Sequence, residues 1–254
     1  MSGEVENQWD AKRGVMLGMQ AFVYGLFVLI GAVWIGLSAS GQSGEGAFIA
    51  VTPAAFAPVA VLIAAVLVAF HVFWPFRATM IDRAIGLIAG VLSLVGVSLP
   101  LLSIVEPGGD GDADPLKLRA YPMASWAATV AGLLVVLTIV SFARQMLRAE
   151  RSHLIRALSH CVTGGAASIS LAGWAFMPYI GATRPSMGVG TGVYVGVIVV
   201  MVLFALVLGA ASVWWLKELD PAPEDRSPWI GVALLPVMFY GLVVFAAALF
   251  LQLI

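Results

Sequence analysis

Seven stretches of about 20 mostly apolar residues, each closed by a short polar connection, leave this chain few ways to fold, because a helix of that length crosses roughly 30 Å of hydrocarbon. The windows run over residues 14–38, 53–75, 83–105, 121–142, 154–180, 190–216 and 230–254. Composition supports the same reading: 61% of residues are apolar and 11% are charged, against the roughly 25% charged usual for globular domains. The expected fold class is therefore all-α, a polytopic integral membrane protein built as a bundle of seven transmembrane helices. One domain is expected over residues 1–254, with no soluble domain.

Orientation follows from the basic connection that carries Arg144, Arg148, Arg151 and Arg156 between the fourth and fifth windows. Short loops rich in Lys and Arg stay on the cytoplasmic side. With the N-terminus cytoplasmic, ten basic residues fall inside: Lys12, Arg13, Arg77, Arg83, those four arginines, Lys217 and Arg226. Lys117, Arg119 and Arg184 fall outside, and so does the C-terminus. Residues 1–13 carry Glu4, Glu6 and Asp10 before Lys12, and the following window lacks an Ala-x-Ala exit, so a retained first span is expected rather than a cleaved signal peptide. Trp34, Trp74, Trp126, Trp174, Trp214, Trp215 and Trp229 fall near window ends, as do Tyr121 and Tyr179, where headgroup-level aromatic belts are expected. The expected location is a prokaryotic cytoplasmic membrane.

Every Asp, Glu, Lys and Arg lies in or beside a connection in this segmentation. A charge-coupled pump is disfavoured, since such machines keep ionisable groups within the bilayer. Pro100, Pro178 and Pro236 interrupt windows and could break helices, as in carriers that hold cargo with freed backbone carbonyls. Small residues four apart let helix backbones approach closely. They recur at Gly14 and Gly18, at Gly86 and Gly90, and at Gly188, Gly192 and Gly196, which marks these as expected packing faces. Thr163, Gly164, Gly165, Ser168, Ser170 and Gly173 make the fifth window slim and polar, which suits a central helix whose hydroxyls bond its own carbonyls.

The residues that could carry chemistry are few. His71 and His160 lie six residues before Arg77 and four after Arg156, at similar depth near the inner face, so they are candidate cofactor ligands for a haem or metal between two helices. Cys161 is the only cysteine and reads as a small buried hydrophobe. Asp110, Asp112 and Asp114 alternate like the opening of a calcium loop, but Pro115 and Tyr121 stand where that loop needs Gly and a bidentate Glu. The last window holds no lysine for a retinal Schiff base. No Walker A loop, His-Glu-x-x-His or Gly-x-Ser-x-Gly motif is present, so no catalytic residue and no resident metal are expected.

The expected function is that of a non-enzymatic subunit or assembly component of a membrane complex. The alternatives are the membrane component of a transporter for an uncharged or lipid-like substrate and, more remotely, an electron carrier using His71 and His160. The expected partners are the lipid bilayer, contacted by Arg144, Arg148, Arg151 and Arg156, and other membrane subunits or a second copy. A net charge of −1 gives no reason to expect nucleic acid.

Overall fold

The computed structural model describes residues 12–39, 53–76, 79–103, 115–147, 154–180, 190–217 and 227–254. They are helical throughout, apart from short turns: α1 (Arg13–Ala39), α2 (Pro53–Val72), α3 (Met80–Ser103), α4 (Pro115–Met146), α5 (Leu154–Leu171), α6 (Thr191–Lys217) and α7 (Pro228–Leu253). Five of them contain a stretch long and apolar enough to cross a membrane: Arg13–Val33, Met80–Leu102, Tyr121–Met146, Thr191–Leu216 and Pro228–Leu253. The chain thus has the character of a membrane protein.

The helix ends differ from the apolar windows where local chemistry extends a helix into polar sequence. α3 begins at Met80 rather than Arg83, because Thr79 and Asp82 cap it reciprocally. The Asp82 Oδ2 atom accepts from the Thr79 N–H at 3.0 Å and the Thr79 O–H at 2.7 Å, while the Asp82 N–H donates to Thr79 Oγ1 at 3.4 Å. Asp82 is consequently in the first turn of the helix, beside the connection, and 2% exposed. α4 starts at Pro115, six residues early, with proline at the first helical position where its missing N–H has no intrahelical partner to lose. α5 ends at Leu171, then tightens into a 3₁₀ segment, Ala172–Phe176, and resumes as a single helical turn over residues 177–180.

Neighbour contacts show that the helices alternate up and down. Met16 of α1 clusters with Leu216 of α6 and with Val232 and Ala233 of α7. The turn after α2 meets α7 at Gly231, where a Cβ would collide with Phe73 O. His71 at the end of α2 lies against Gly86 of α3, and Ser141 of α4 sits 3.3 Å from Cys161 of α5. One end of the bundle therefore collects the starts of α1, α3, α5 and α7 with the finishes of α2, α4 and α6. We call it the Arg144 end.

α5 and its 3₁₀ extension form the axis. From Gly164 to Ile180 nearly every residue is buried, and the helix packs on α3, α4 and α7 at once. Small residues make this possible. Gly173 and Gly241 touch backbone to backbone, and Gly165 receives Leu137 of α4, whose Cδ1 would lie 2.6 Å from a Cβ there. Ser168 and Ser170 donate to Gly164 O at 2.8 Å and Ala166 O at 2.6 Å, spending their polarity within the helix.

Three of the tryptophans expected in aromatic belts belong instead to the core. Trp74, Trp126 and Trp174 are no more than 1% exposed, whereas Trp214 is 72% exposed and suits a belt. The core positions are tenable for Trp126 and Trp174 because each indole N–H finds an acceptor, Ser93 Oγ at 3.2 Å and Val237 O at 2.8 Å. Trp34, the loop with Asp110, Asp112 and Asp114, and Arg148, Arg151 and Gly188 lie outside the residues whose side chains are described.

Candidate functional site at the Arg144 end

The polar groups of the bundle gather where α2 ends and α3 and α5 begin. His71 occupies the last turn of α2 and its Nδ1 lies 2.8 Å from Leu67 O. A carbonyl only accepts, so Nδ1 carries the hydrogen and Nε2 of the neutral ring is an acceptor. Nε2 points at α3, 3.1 Å from the position of a Cβ on Gly86. The Trp74 ring fills the space between α3 and α5, with Cη2 3.5 Å from that same Cβ position and packed hard on Gly164. Glycine at 86 and 164 is what admits these two rings.

His71 and His160 belong to one row of rings, linked through Trp74 and Phe76. His71 and Trp74 have centroids 5.2 Å apart, Trp74 and Phe76 5.8 Å, and Phe76 and His160 4.9 Å with the last two nearly parallel at 22°. Trp74 and Phe76 thus stand between the imidazoles in this row. Among the described residues, no group of three or more His, Cys, Asp or Glu side chains is arranged to hold a metal ion.

Buried polar residues surround this row. Ser141 and Gln145 of α4 are 0% exposed, as is Cys161, and Asp82 and Arg144 both lie within electrostatic reach of the Cys161 thiol. Arg156 is exposed one turn before His160. Asp82 was missed as a site residue because the window was begun at Arg83; the signal that marks it is Thr79-x-x-Asp82, a capping box just before an apolar run.

The predicted packing glycines divide into two groups. Gly86 and Gly90 lie in the α3 contact with α2 and α5, and a Cβ on Gly90 would come within 2.6 Å of Leu67 Cδ1 and 3.0 Å of Ser168 Cβ. Among the described residues, Gly14, Gly18, Gly192 and Gly196 have no atom of another helix within 4 Å of a Cβ position, unlike Gly86 and Gly90. Gly196 instead opens on an apolar groove of about 520 Å³ between α6 and α7, walled by Val193, Val197, Phe204, Val243 and Phe250. Comparisons with protein-family models, with curated proteins and with solved structures find no match.

Proposed function

We propose that this chain is a non-enzymatic multi-pass membrane protein serving as a subunit or assembly component of a membrane complex. The observation that carries the reading is the outward exposure of two rows of glycines four apart, Gly14 with Gly18 and Gly192 with Gly196, none of which has an atom of another described helix within 4 Å of a Cβ position. In lipid no hydrophobic force joins helices, so close approach across small residues is a main route to association. The groove beside Gly196 extends that surface onto α7. The partner is another membrane subunit or a second copy.

The same reading takes all seven helices as spans, with the N-terminus cytoplasmic, the C-terminus outside and a prokaryotic cytoplasmic membrane as the setting. α2 has 20 residues, about 30 Å of helix, and α5 with its extension has a run of 27, so both have the reach to cross. Charge distribution supports seven over five. If α2 and α5 did not cross, six basic residues (Lys12, Arg13, Lys117, Arg119, Lys217 and Arg226) would face the cytoplasm and the other seven would not. Seven crossings place ten inside and three outside, the bias that orients membrane proteins.

The test is native mass spectrometry on protein purified gently from its own membrane. A defined dimer or a stoichiometric partner is expected, and Gly192→Leu with Gly196→Leu should release it while leaving the monomer folded. A wild-type monomer that these substitutions do not change would overturn the reading. Transport of an uncharged or lipid-like substrate is the second reading, favoured by the break at Ala172–Phe176, since interrupted helices build carrier sites. Trp174 already stacks on Phe27 at 4.5 Å there, so a carrier would have to part those rings.

A further inference from the structure

Several polar side-chain atoms at the Arg144 end are buried without a hydrogen-bond partner, Arg144 Nε among them, and three of them, Asp82 Oδ1, His71 Nε2 and Trp74 Nε1, belong to residues where α2 meets α3. All three residues border one short stretch of α3. Asp82 and Gly86 stand four residues apart on the same helix face, about 6 Å between neighbouring Cβ positions. His71 and the Trp74 ring edge close over Gly86, as described above.

Their chemistry is mixed. His71 Nε2 and Asp82 Oδ1 accept, since Nδ1 and Oδ2 are already committed to Leu67 and Thr79, whereas Trp74 Nε1 only donates. A bare cation here would feel Arg144, and Arg83 lies within electrostatic reach of His71. An anion would feel Asp82. A small neutral molecule that both donates and accepts meets neither penalty and satisfies both kinds of group.

We propose that water binds here, bridging His71, Trp74 and Asp82 between α2 and α3. Leaving a buried donor or acceptor unmade costs about 1–3 kcal/mol. Immobilising a water costs about 0–2 kcal/mol, so one molecule shared by two or three such groups is favourable. His71 is the wall that yields to admit it, being only half-buried while Trp74 and Asp82 are almost wholly enclosed. The site gives the Arg144 end a wet joint, whereas the buried indoles of Trp126 and Trp174 are sealed by protein acceptors.

Those indoles supply the control. Trp126 and Trp174 are as deeply buried as Trp74 but donate to Ser93 Oγ and Val237 O. In the full chain held in lipid nanodiscs, hydrogen–deuterium exchange of the indole N–H groups is followed by NMR, each signal assigned by a Trp→Phe substitution. Trp74 should exchange about tenfold faster than Trp126 and Trp174, because only its N–H would already face water. Equal protection of all three would overturn the proposal. His71→Phe keeps a ring and removes both nitrogens, so it should slow Trp74 exchange several-fold in a sample where Trp126 and Trp174 keep their wild-type rates. An unchanged Trp74 rate in that folded variant would also overturn it.

Discussion

A glycine in this bundle matters by what stands opposite it. Gly173 faces the Gly241 carbonyl and Gly241 faces the Ser170 carbonyl, backbone that cannot rotate away, so Gly173→Ala should cost about 1–3 kcal/mol or more through overpacking. Gly192→Ala, with open space around it, should stay within about 0.5 kcal/mol in the isolated chain. Unfolding midpoints in detergent would compare the two, and equal losses would contradict the packing described here. The same logic applies to the histidines. Because Trp74 and Phe76 stand between His71 and His160 in the row of rings, protein from haem-supplied cells should show no Soret band. A band lost in both His71→Ala and His160→Ala would support the electron-carrier reading instead. Spacing marked Gly192 and the two histidines in the sequence and composition marked Gly173, yet neither could rank them, and Gly241 carried no mark. Lipid and protein core are both apolar, so no polar face tells which side of a helix turns inward. Gly86 and Gly192 therefore look alike until the structure separates them.

At the scale of elements, the apolar windows were legible because crossing length is a hard constraint, while their ends depended on short-range hydrogen bonds. The Thr79 and Asp82 cap pulls α3 three residues back from its window. Thr79→Ala should lower stability by about 1 kcal/mol, as loss of a helix cap does. The break in α5 left a trace in its composition but no proline within residues 172–176 to announce it. It forms where Gly173 meets Gly241 and where Trp174 reaches Val237 O, contacts between segments some 60 residues apart. Attachment of α6 to α1 was equally illegible. Only 11% of the membrane-length stretch of α6 is buried, and a buried hydrogen bond ties it to α1, Gln20 Nε2 to Ser212 Oγ at 2.8 Å, with Ser212 passing its own hydrogen to Gly209 O. A double-mutant cycle of Gln20→Leu and Ser212→Ala should return a coupling of about 0.6 kcal/mol, and no more than about 1.7, the range found for such bonds between membrane helices. A coupling of zero would mean that this hydrogen bond does not help to join α6 to α1.

For the whole molecule the deciding question is which connections share a side, and one labelling experiment separates the two arrangements. The only native thiol, Cys161, is buried, so single cysteines introduced elsewhere report without background. With seven crossings, a cysteine at Gly109 reacts with an impermeant thiol reagent from outside and one at Ala149 does not. With five, omitting α2 and α5, both assignments reverse, while a cysteine at Gly44 stays outside in either case and serves as the positive control. The physical reason to expect seven is that Arg144, Arg148, Arg151 and Arg156 would otherwise have to be carried across the bilayer. Each basic residue near an anionic inner surface is worth about 1 kcal/mol. Replacing Arg144, Arg148 and Arg151 together by Gln should then make the Ala149 cysteine partly reactive from outside, whereas replacing Lys117 and Arg119 should leave the pattern as it was. If both replacements change labelling equally, the orientation does not rest on the basic connection; if Gly109 is protected and Ala149 is labelled in the unsubstituted chain, α2 and α5 do not cross.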